Sequence, residues 1–187
     1  MSYQSMHEIK AIFCDMDGTL LATDKANFLA YKKAVFAYAG KNIVPAHGRF
    51  TSTDLRLQLP NLSVQEYEEI SALKTDYVSN FLHETQVNKG LMHWLMQQKK
   101  NCSLHLVTKS NTQRALVSLQ YHKLLGLFDT VVCKEDISEL KQQGKFVGAL
   151  SLLGLAGCEV LGIENEAKEV QQANKTMAFL TPNLAAW

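Results

Sequence analysis

The chain has 187 residues, of which 47% are hydrophobic and 20% charged, and its formal net charge at pH 7 is +1. A chain of this length can bury one large core, or a core with a smaller inserted domain, without disulfide or metal support. The small net charge gives no electrostatic basis for nucleic acid or an anionic membrane as a partner. We therefore expect function to depend on a site built from particular residues.

The cysteines and the N-terminal segment indicate a cytoplasmic protein. The four cysteines are scattered singly, in or beside apolar runs, at Cys14, Cys102, Cys133 and Cys158. This distribution is typical of small buried residues and not of disulfides or metal ligands. The segment from Met1 to Glu8 has no apolar signal region, and no apolar run approaches membrane-spanning length.

The first predicted element is a buried strand over Ile9–Cys14, followed directly by Asp15-Met16-Asp17-Gly18-Thr19. Alternate side chains of a strand share a face, so Asp15 and Asp17 can point toward one pocket, while Gly18 permits a sharp exit. Two close carboxylates need a neutralising charge. Mg²⁺ suits them, because it prefers one or two carboxylates together with water and phosphate oxygens.

Residues 22–88 carry helical periodicity with no strand-like run between the helices. One helix is predicted over Ala26–Ala39 and ends at Gly40. A second begins at Ser63, where Glu66 completes a capping box, and continues to Phe81. The residues from Pro45 to Thr53 are predicted to form a loop. We interpret residues 22–88 as an inserted α-helical domain, and residues 1–21 with 89–187 as the core domain.

From residue 90 onward, strand and helix patterns alternate, which predicts βα units and a parallel sheet. The predicted strands are Ser103–Thr108, Thr130–Cys133, Glu159–Ile163 and Met177–Leu180, and the predicted helices are Gly90–Lys99, Thr112–Leu125, Phe146–Leu153 and Glu166–Asn174. With the first strand, this pattern predicts an α/β fold with a doubly wound, parallel, five-stranded, Rossmann-like sheet. Such sheets bind ligands at the carboxyl ends of their strands, where Asp15, Thr108 and Glu164 fall.

The segment Thr108-Lys109-Ser110-Asn111 joins a predicted strand to a predicted helix. A hydroxyl at the strand end and the N–H groups at the helix start can both donate to a phosphoryl oxygen. Ser110 or Asn111 can also cap the helix that begins at Thr112. The segment therefore predicts a phosphate site.

The residues from Phe13 to Leu21 resemble the first motif of the haloacid dehalogenase-like superfamily of phosphatases and phosphomutases. The resemblance implies that Asp15 is a nucleophile forming an aspartyl-phosphate, and that Asp17 is the general acid/base. It also implies a Mg²⁺ cofactor and a helical cap inserted after the first motif, which residues 22–88 match in place and length.

Two further motifs follow from the same resemblance. In the second motif Thr108 supplies the phosphate-binding hydroxyl with Lys109 beside it, and Gly18 lies in the phosphate-binding loop of the first motif. The third motif requires a lysine before the helix that precedes the last catalytic strand, and both Lys141 and Lys145 are candidates. The usual spacing favours Lys141, although Gln142 stands where relatives often carry a proline.

The fourth motif departs from the family pattern. Relatives with this type of cap usually carry Glu-Asp after the strand, whereas this chain carries Glu164-Asn165. The resemblance implies a metal site made by Asp15, the backbone carbonyl of Asp17, and Glu164 or Asn165. The amide brings no charge, so we expect weaker metal binding. Glu169 stands where some relatives hold a further acidic residue.

The sequence thus predicts a Mg²⁺-dependent phosphatase that acts on a small phosphorylated metabolite. Arg49, in the loop of the helical domain, is a candidate clamp for a second phosphate or a carboxylate. A phosphomutase of the same superfamily and a catalytically weakened binding or regulatory protein are the alternatives. The oligomeric state is expected to be a monomer or a weak homo-oligomer.

Overall fold

The structure, a computed structural model, describes residues 8–137 and 143–182. The described chain divides into two compact units. One, the α/β unit, extends to Leu21 and resumes at Val87; the other, the helical unit, comprises Ala22–Gln86. The second boundary falls two residues before the one predicted from the sequence.

The described residues form seven strands and seven α-helices. The strands are β1 (Ala11–Cys14), β2 (Leu21–Ala22), β3 (Gln86–Val87), β4 (Ser103–Val107), β5 (Thr130–Val132), β6 (Val160–Ile163) and β7 (Ala178–Leu180). The helices are α1 (Asp24–Ala39), α2 (Ser52–Gln58), α3 (Val64–Tyr77), α4 (Lys89–Gln98), α5 (Thr112–Tyr121), α6 (Lys145–Leu153) and α7 (Ala167–Ala173). None of these helices is long and apolar enough to cross a membrane.

Five strands of the α/β unit form one parallel sheet in the order β5-β4-β1-β6-β7. Strand β1 lies in the centre, with Cys14 opposite Leu106 of β4 and Ile163 of β6. The carboxyl ends of these three strands therefore meet at one edge. This arrangement confirms the predicted fold class and places the residues that follow β1, β4 and β6 together.

The two faces of the sheet are covered by different helices. Ile12 and Cys14 of β1 pack with residues of α4 and α5, whereas Ala11 and Phe13 pack with residues of α6 and α7. All four are buried, as the continuous apolar run of a central parallel strand requires. Because side chains alternate along a strand, the odd-numbered positions of β1 face α6.

Helix α5 is shorter than the sequence indicated. The predicted helix ran to Leu125 with Gly126 as its stop, but α5 ends at Tyr121, and Leu125–Leu127 form a separate 3₁₀ turn. The chain leaves the helix through Lys123, which has a positive φ of 59°. A lysine in the left-handed region carries no helix-stop signature, so periodicity alone could not locate this end.

The helical unit contains a helix that was not predicted from the sequence. Helix α2 begins at Ser52, inside the region predicted as a loop, and Thr51 and Asp54 form its capping box. The predicted capping box of Ser63 and Glu66 opens α3. Helix α3 ends at Tyr77, and the remainder of the predicted helix continues as a 3₁₀ segment over Val78–Glu84.

The helical unit has its own apolar core. Its most deeply buried large side chains are Phe50, Leu55 and Ile70, with Phe50 packed against the ring of Tyr31. The amide of Asn27 donates to the backbone carbonyl of Phe50 at 2.7 Å, which anchors the segment before α2 to α1. The core explains how a segment of helices alone forms a compact unit.

Two glycines of the α/β unit provide a matched test of backbone strain. Gly154 ends α6 with a φ of 64°, whereas Gly126 is not among the residues with positive φ, and an added Cβ would meet no atom within 4 Å at either position. We expect Gly154→Ala to lower the free energy of unfolding by about 1 kcal/mol, and Gly126→Ala to leave it unchanged or raise it slightly. Urea denaturation of the two variants measures the difference, and equal effects would contradict the assignment of strain to Gly154.

Candidate active site

Asp15 lies at the carboxyl end of the central strand. It follows Cys14 directly, its side chain is buried, and its backbone N–H donates to the carbonyl of Ile163 at 3.0 Å. Since the odd-numbered positions of β1 face α6, the carboxylate of Asp15 extends toward the N-terminus of that helix. The strand thus delivers a buried carboxylate to the edge of the sheet where ligands of this fold class bind.

Lys145, the first residue of α6, lies between two carboxylates. Its Nζ contacts Oδ1 of Asp15 and is 2.6 Å from Oε2 of Glu164, and all three side chains are at least 94% buried. Gly144 precedes the helix with a φ of 83°, a backbone conformation that suits glycine and sets the start of α6 here. The ends of β1 and β6 are therefore joined through one ammonium group.

The ionisation of this cluster reflects burial and close charges. Burial raises the pKa of Asp15 to about 7, although Lys145 pulls it down, and Glu164 and Asp17 raise it further. Burial alone would lower the pKa of Lys145, but Asp15 and Glu164 hold it well above its usual value. Lys145 is therefore a permanent cation, and negative charge is in excess around Asp15.

Asp17 has partners on α5 and on the turn before it. The hydroxyl of Ser110 donates to Oδ2 of Asp17 at 2.6 Å, and the guanidinium of Arg114 contacts Oδ1. Asp17 is buried, like Asp15, but the two carboxylates are held by different elements. Strand β1 ends at Cys14, so simple strand alternation does not extend to Asp17.

Thr108 directly follows β4 and is buried. Its Oγ1 accepts a hydrogen bond from the backbone N–H of Ser110 at 3.1 Å, which leaves the hydroxyl proton available for another acceptor. Asn111 caps α5 by accepting from the backbone N–H of Arg114 at 2.8 Å. The turn therefore holds a hydroxyl donor at the strand end beside a helix start, as the phosphate-site prediction requires.

Asn165 contacts the loop after β1. Its Oδ1 accepts a hydrogen bond from the hydroxyl of Thr19 at 2.9 Å, and its Nδ2 lies against Gly18, where an added Cβ would be only 2.8 Å away. Gly18 has a φ of 83°. Glycine is needed at this position for two reasons, the backbone conformation and the close approach of the amide.

Three further residues predicted from the sequence are Lys109 and Glu164 in the α/β unit and Arg49 in the helical unit. Lys109 contacts the buried carboxylate of Glu169 on α7 through Glu169 Oε1. Glu164 Oε1 accepts from the backbone N–H of Glu166 at 2.8 Å. Arg49 belongs to the helical unit, where it is half-buried in the loop before α2.

The structure describes only one of the two candidate lysines of the third motif. Lys141, favoured by the family spacing, lies outside the described residues. Lys145, the alternative, is the lysine that the structure places on Asp15.

Sequence reasoning missed Arg114 and treated Ser110 only as a neighbour. One signal was available for Arg114. It lies in the first turn of α5, where the helix dipole favours acidic residues and disfavours a cation. A basic residue there indicates a negative partner, although the sequence does not identify that partner as Asp17.

The donor atoms of the site suit a hard cation. Asp15 and Glu164 supply carboxylate oxygens, Asp17 a backbone carbonyl and Asn165 an amide oxygen, all ligand types that Mg²⁺ accepts. Among residues 8–137 and 143–182, no group of three or more His, Cys, Asp or Glu side chains is placed to hold a metal ion. Burial, together with the neighbouring carboxylates of Glu164 and Asp17, raises the pKa of Asp15 despite its contact with Lys145. The donor types of Asp15, Glu164 and Asn165 are compatible with a divalent cation.

The chain belongs to the haloacid dehalogenase-like hydrolase family. The sequence model of that family matches residues 12–179, which include β1, β4, β6 and the residues that follow them. This match confirms the family resemblance carried by the first motif. No curated protein gives a significant match by sequence.

Solved structures show the same fold. A haloacid dehalogenase-like hydrolase from Streptococcus pneumoniae superposes with a TM-score of 0.72 at 19% identity, covering 92% of this chain and 84% of that one. A predicted phosphoglycolate phosphatase from Haemophilus somnus gives 0.71 at 15% identity, covering 95% and 85%. A protein from Thermotoga maritima provisionally named a β-phosphoglucomutase gives 0.62 at 21% identity, covering 89% and 81%.

Removing the ammonium of Lys145 is expected to destabilise the protein in a pH-dependent way. Lys145→Gln leaves Asp15 and Glu164 buried without their cation, which costs about 3–5 kcal/mol. A carboxyl whose pKa is raised by folding takes up protons more readily in the folded state, so folding gains stability as the pH falls. The deficit of the variant should therefore be largest above about pH 7 and shrink toward about pH 4.

Denaturation at several pH values, without divalent cations, measures this deficit. Lys10→Met is the control, because the side chain of Lys10 is 63% exposed, although its partner Glu159 is half-buried. We expect little change in that variant at any pH. A deficit in Lys145→Gln that is independent of pH would argue against the buried charge cluster.

Proposed function

We propose that the protein is a Mg²⁺-dependent phosphatase that acts on a small phosphorylated metabolite through an aspartyl-phosphate. One observation supports this proposal above the others. A buried carboxylate, Asp15, stands at the end of the central strand with a permanent cation, Lys145, on one side. In this proposal Asp15 is the nucleophile, and Lys145 is the charge partner for its phosphoryl group.

In the first half-reaction, a carboxylate oxygen of Asp15 attacks phosphorus. The new bond joins this oxygen to phosphorus, and the bond from phosphorus to the alcohol oxygen breaks with its electron pair on that oxygen. Asp17 enters this step as the carboxylic acid and donates its proton to the departing alcohol. In this proposal Lys145 holds the phosphoryl oxygens together with the hydroxyl of Thr108.

In the second half-reaction, water attacks the phosphorus of the aspartyl-phosphate. Asp17 accepts a proton from this water, the bond between phosphorus and Asp15 breaks, and inorganic phosphate leaves. A divalent cation at this site would supply charge to offset the phosphoryl oxygens. Asp15, the Asp17 carbonyl, Glu164 and Asn165 are the residues that would hold it.

Replacing the nucleophile tests the enzymatic proposal. We expect the wild-type protein to hydrolyse p-nitrophenyl phosphate with Mg²⁺, and Asp15→Asn to lower kcat by at least about a thousandfold. Asp76→Asn makes the same chemical change at an exposed position of α3 and should keep full activity. Equal activity in the wild-type protein and Asp15→Asn would contradict the mechanism, and release of inorganic phosphate distinguishes a phosphatase from a phosphomutase.

Restoring a carboxylate at position 165 tests the metal site. We expect Asn165→Asp to bind Mg²⁺ roughly tenfold more tightly, because one charged oxygen replaces a neutral one. Isothermal titration calorimetry measures this binding without reference to activity. Asn174→Asp adds the same charge at an exposed position after α7 and should leave the affinity unchanged. An equal affinity in all three proteins would place residue 165 outside the metal site.

A further inference from the structure

Arg114 is an arginine with a largely buried side chain that none of the four motifs includes. It is the only arginine in the sequence of the α/β unit, and its side chain is only 9% exposed. Its guanidinium contacts Oδ1 of Asp17, whose side chain is 6% exposed. The α/β unit thus uses its single arginine on the carboxylate to which the proposed mechanism assigns proton transfer.

Ser110 completes the contact on the other carboxylate oxygen. Its hydroxyl donates to Oδ2 of Asp17 at 2.6 Å and accepts from Nη1 of Arg114 at 2.8 Å. One hydroxyl therefore links the guanidinium and the carboxylate. The three side chains form a closed ring of charge-assisted hydrogen bonds, in which neither oxygen of Asp17 can move alone.

The backbone fixes the two partners of Asp17. The N–H of Ser110 donates to Oγ1 of Thr108, and the N–H of Arg114 donates to the capping side chain of Asn111. Nη1 of Arg114, in the first turn of α5, donates to the hydroxyl of Ser110, which lies just before the cap of that helix. The orientation of Asp17 is therefore tied to the turn that carries Thr108.

Stability alone does not account for this arrangement. A buried ion pair is often no more stabilising than apolar side chains of similar size, because both charges lose their hydration. The Nε–H of Arg114 is, in addition, buried with no hydrogen-bond partner among the described residues. The cation also lies in the first turn of a helix, against the helix dipole. These costs point to a role beyond packing.

We propose that Arg114, acting with Ser110, is a positioning residue that holds the Asp17 carboxylate in its working orientation. The proposal rests on the phosphatase function given above. A carboxylate has about four lone-pair sites, so the contacts with Ser110 and Arg114 do not by themselves use all of them. Without Arg114 the carboxylate can turn away, and misplacement of about 1 Å costs on the order of a hundredfold in rate.

Two substrates of similar shape separate positioning of Asp17 from general damage. The nitrophenolate of p-nitrophenyl phosphate leaves without a proton, whereas the alcohol of p-nitrobenzyl phosphate needs one. The ratio kcat/KM reports the steps up to departure of the leaving group. We expect Arg114→Met to lower kcat/KM about a hundredfold for the benzyl substrate and less than about threefold for the phenyl substrate.

A conservative variant keeps the test decisive if Arg114→Met does not fold. Arg114→Lys retains a cation but loses the forked geometry, so we expect a selective loss of about tenfold for the benzyl substrate. Lys10→Met, which removes a cation at the surface of the same unit, should change neither ratio. Thermal unfolding of each variant shows that the compared proteins are folded.

The outcomes distinguish this inference from the proposed function. Equal losses for the two substrates in a folded Arg114 variant, or no loss for either, would overturn the positioning role while the phosphatase function stands. A wild-type protein that cleaves neither substrate would overturn the proposed function itself. A loss confined to the benzyl substrate, graded from lysine to methionine, supports the role of Arg114 on Asp17.

Discussion

The contact of one buried ammonium with two carboxylates is the interaction on which the site depends. Lys145 reaches Asp15 at the end of β1 and Glu164 at the end of β6. None of the three charges could stay buried alone, because each would lose its hydration without compensation. The start of α6, the two strand ends and the ionisation of Asp15 are therefore set together, and a change in one alters the others.

The sequence predicted the sheet and the strand-end residues, because both follow from periodicity. A buried run followed by polar residues marks a strand end, and parallel strands bring such ends to one edge. The choice between Lys141 and Lys145 could not be made from periodicity. It depended on where α6 begins, and that start is set by Gly144 with its positive φ and not by any pattern of apolar residues. Side-chain contacts between distant segments, such as that of Arg114 with Asp17, also produce no periodic pattern in the sequence.

The charge balance gives the altered fourth motif a physical meaning. Three carboxylates, those of Asp15, Asp17 and Glu164, face two cations, Lys145 and Arg114. An aspartate at position 165 would add a fourth negative charge to a cluster in which the pKa of Asp15 is already raised. Asn165 avoids that repulsion and keeps a hydrogen bond to Thr19. With asparagine in place of aspartate at position 165, the site carries one negative charge fewer, and the loop after β1 keeps its hydrogen bond to residue 165.

The close approach of Gly18 and Asn165 has a consequence for how these positions can change. The amide nitrogen occupies the space that a side chain at position 18 would need. Any residue larger than glycine at position 18 must shift this amide, which also accepts the hydrogen bond from Thr19. The two positions, far apart in the chain, therefore form one steric unit, and a substitution at one restricts which residues the other can accept.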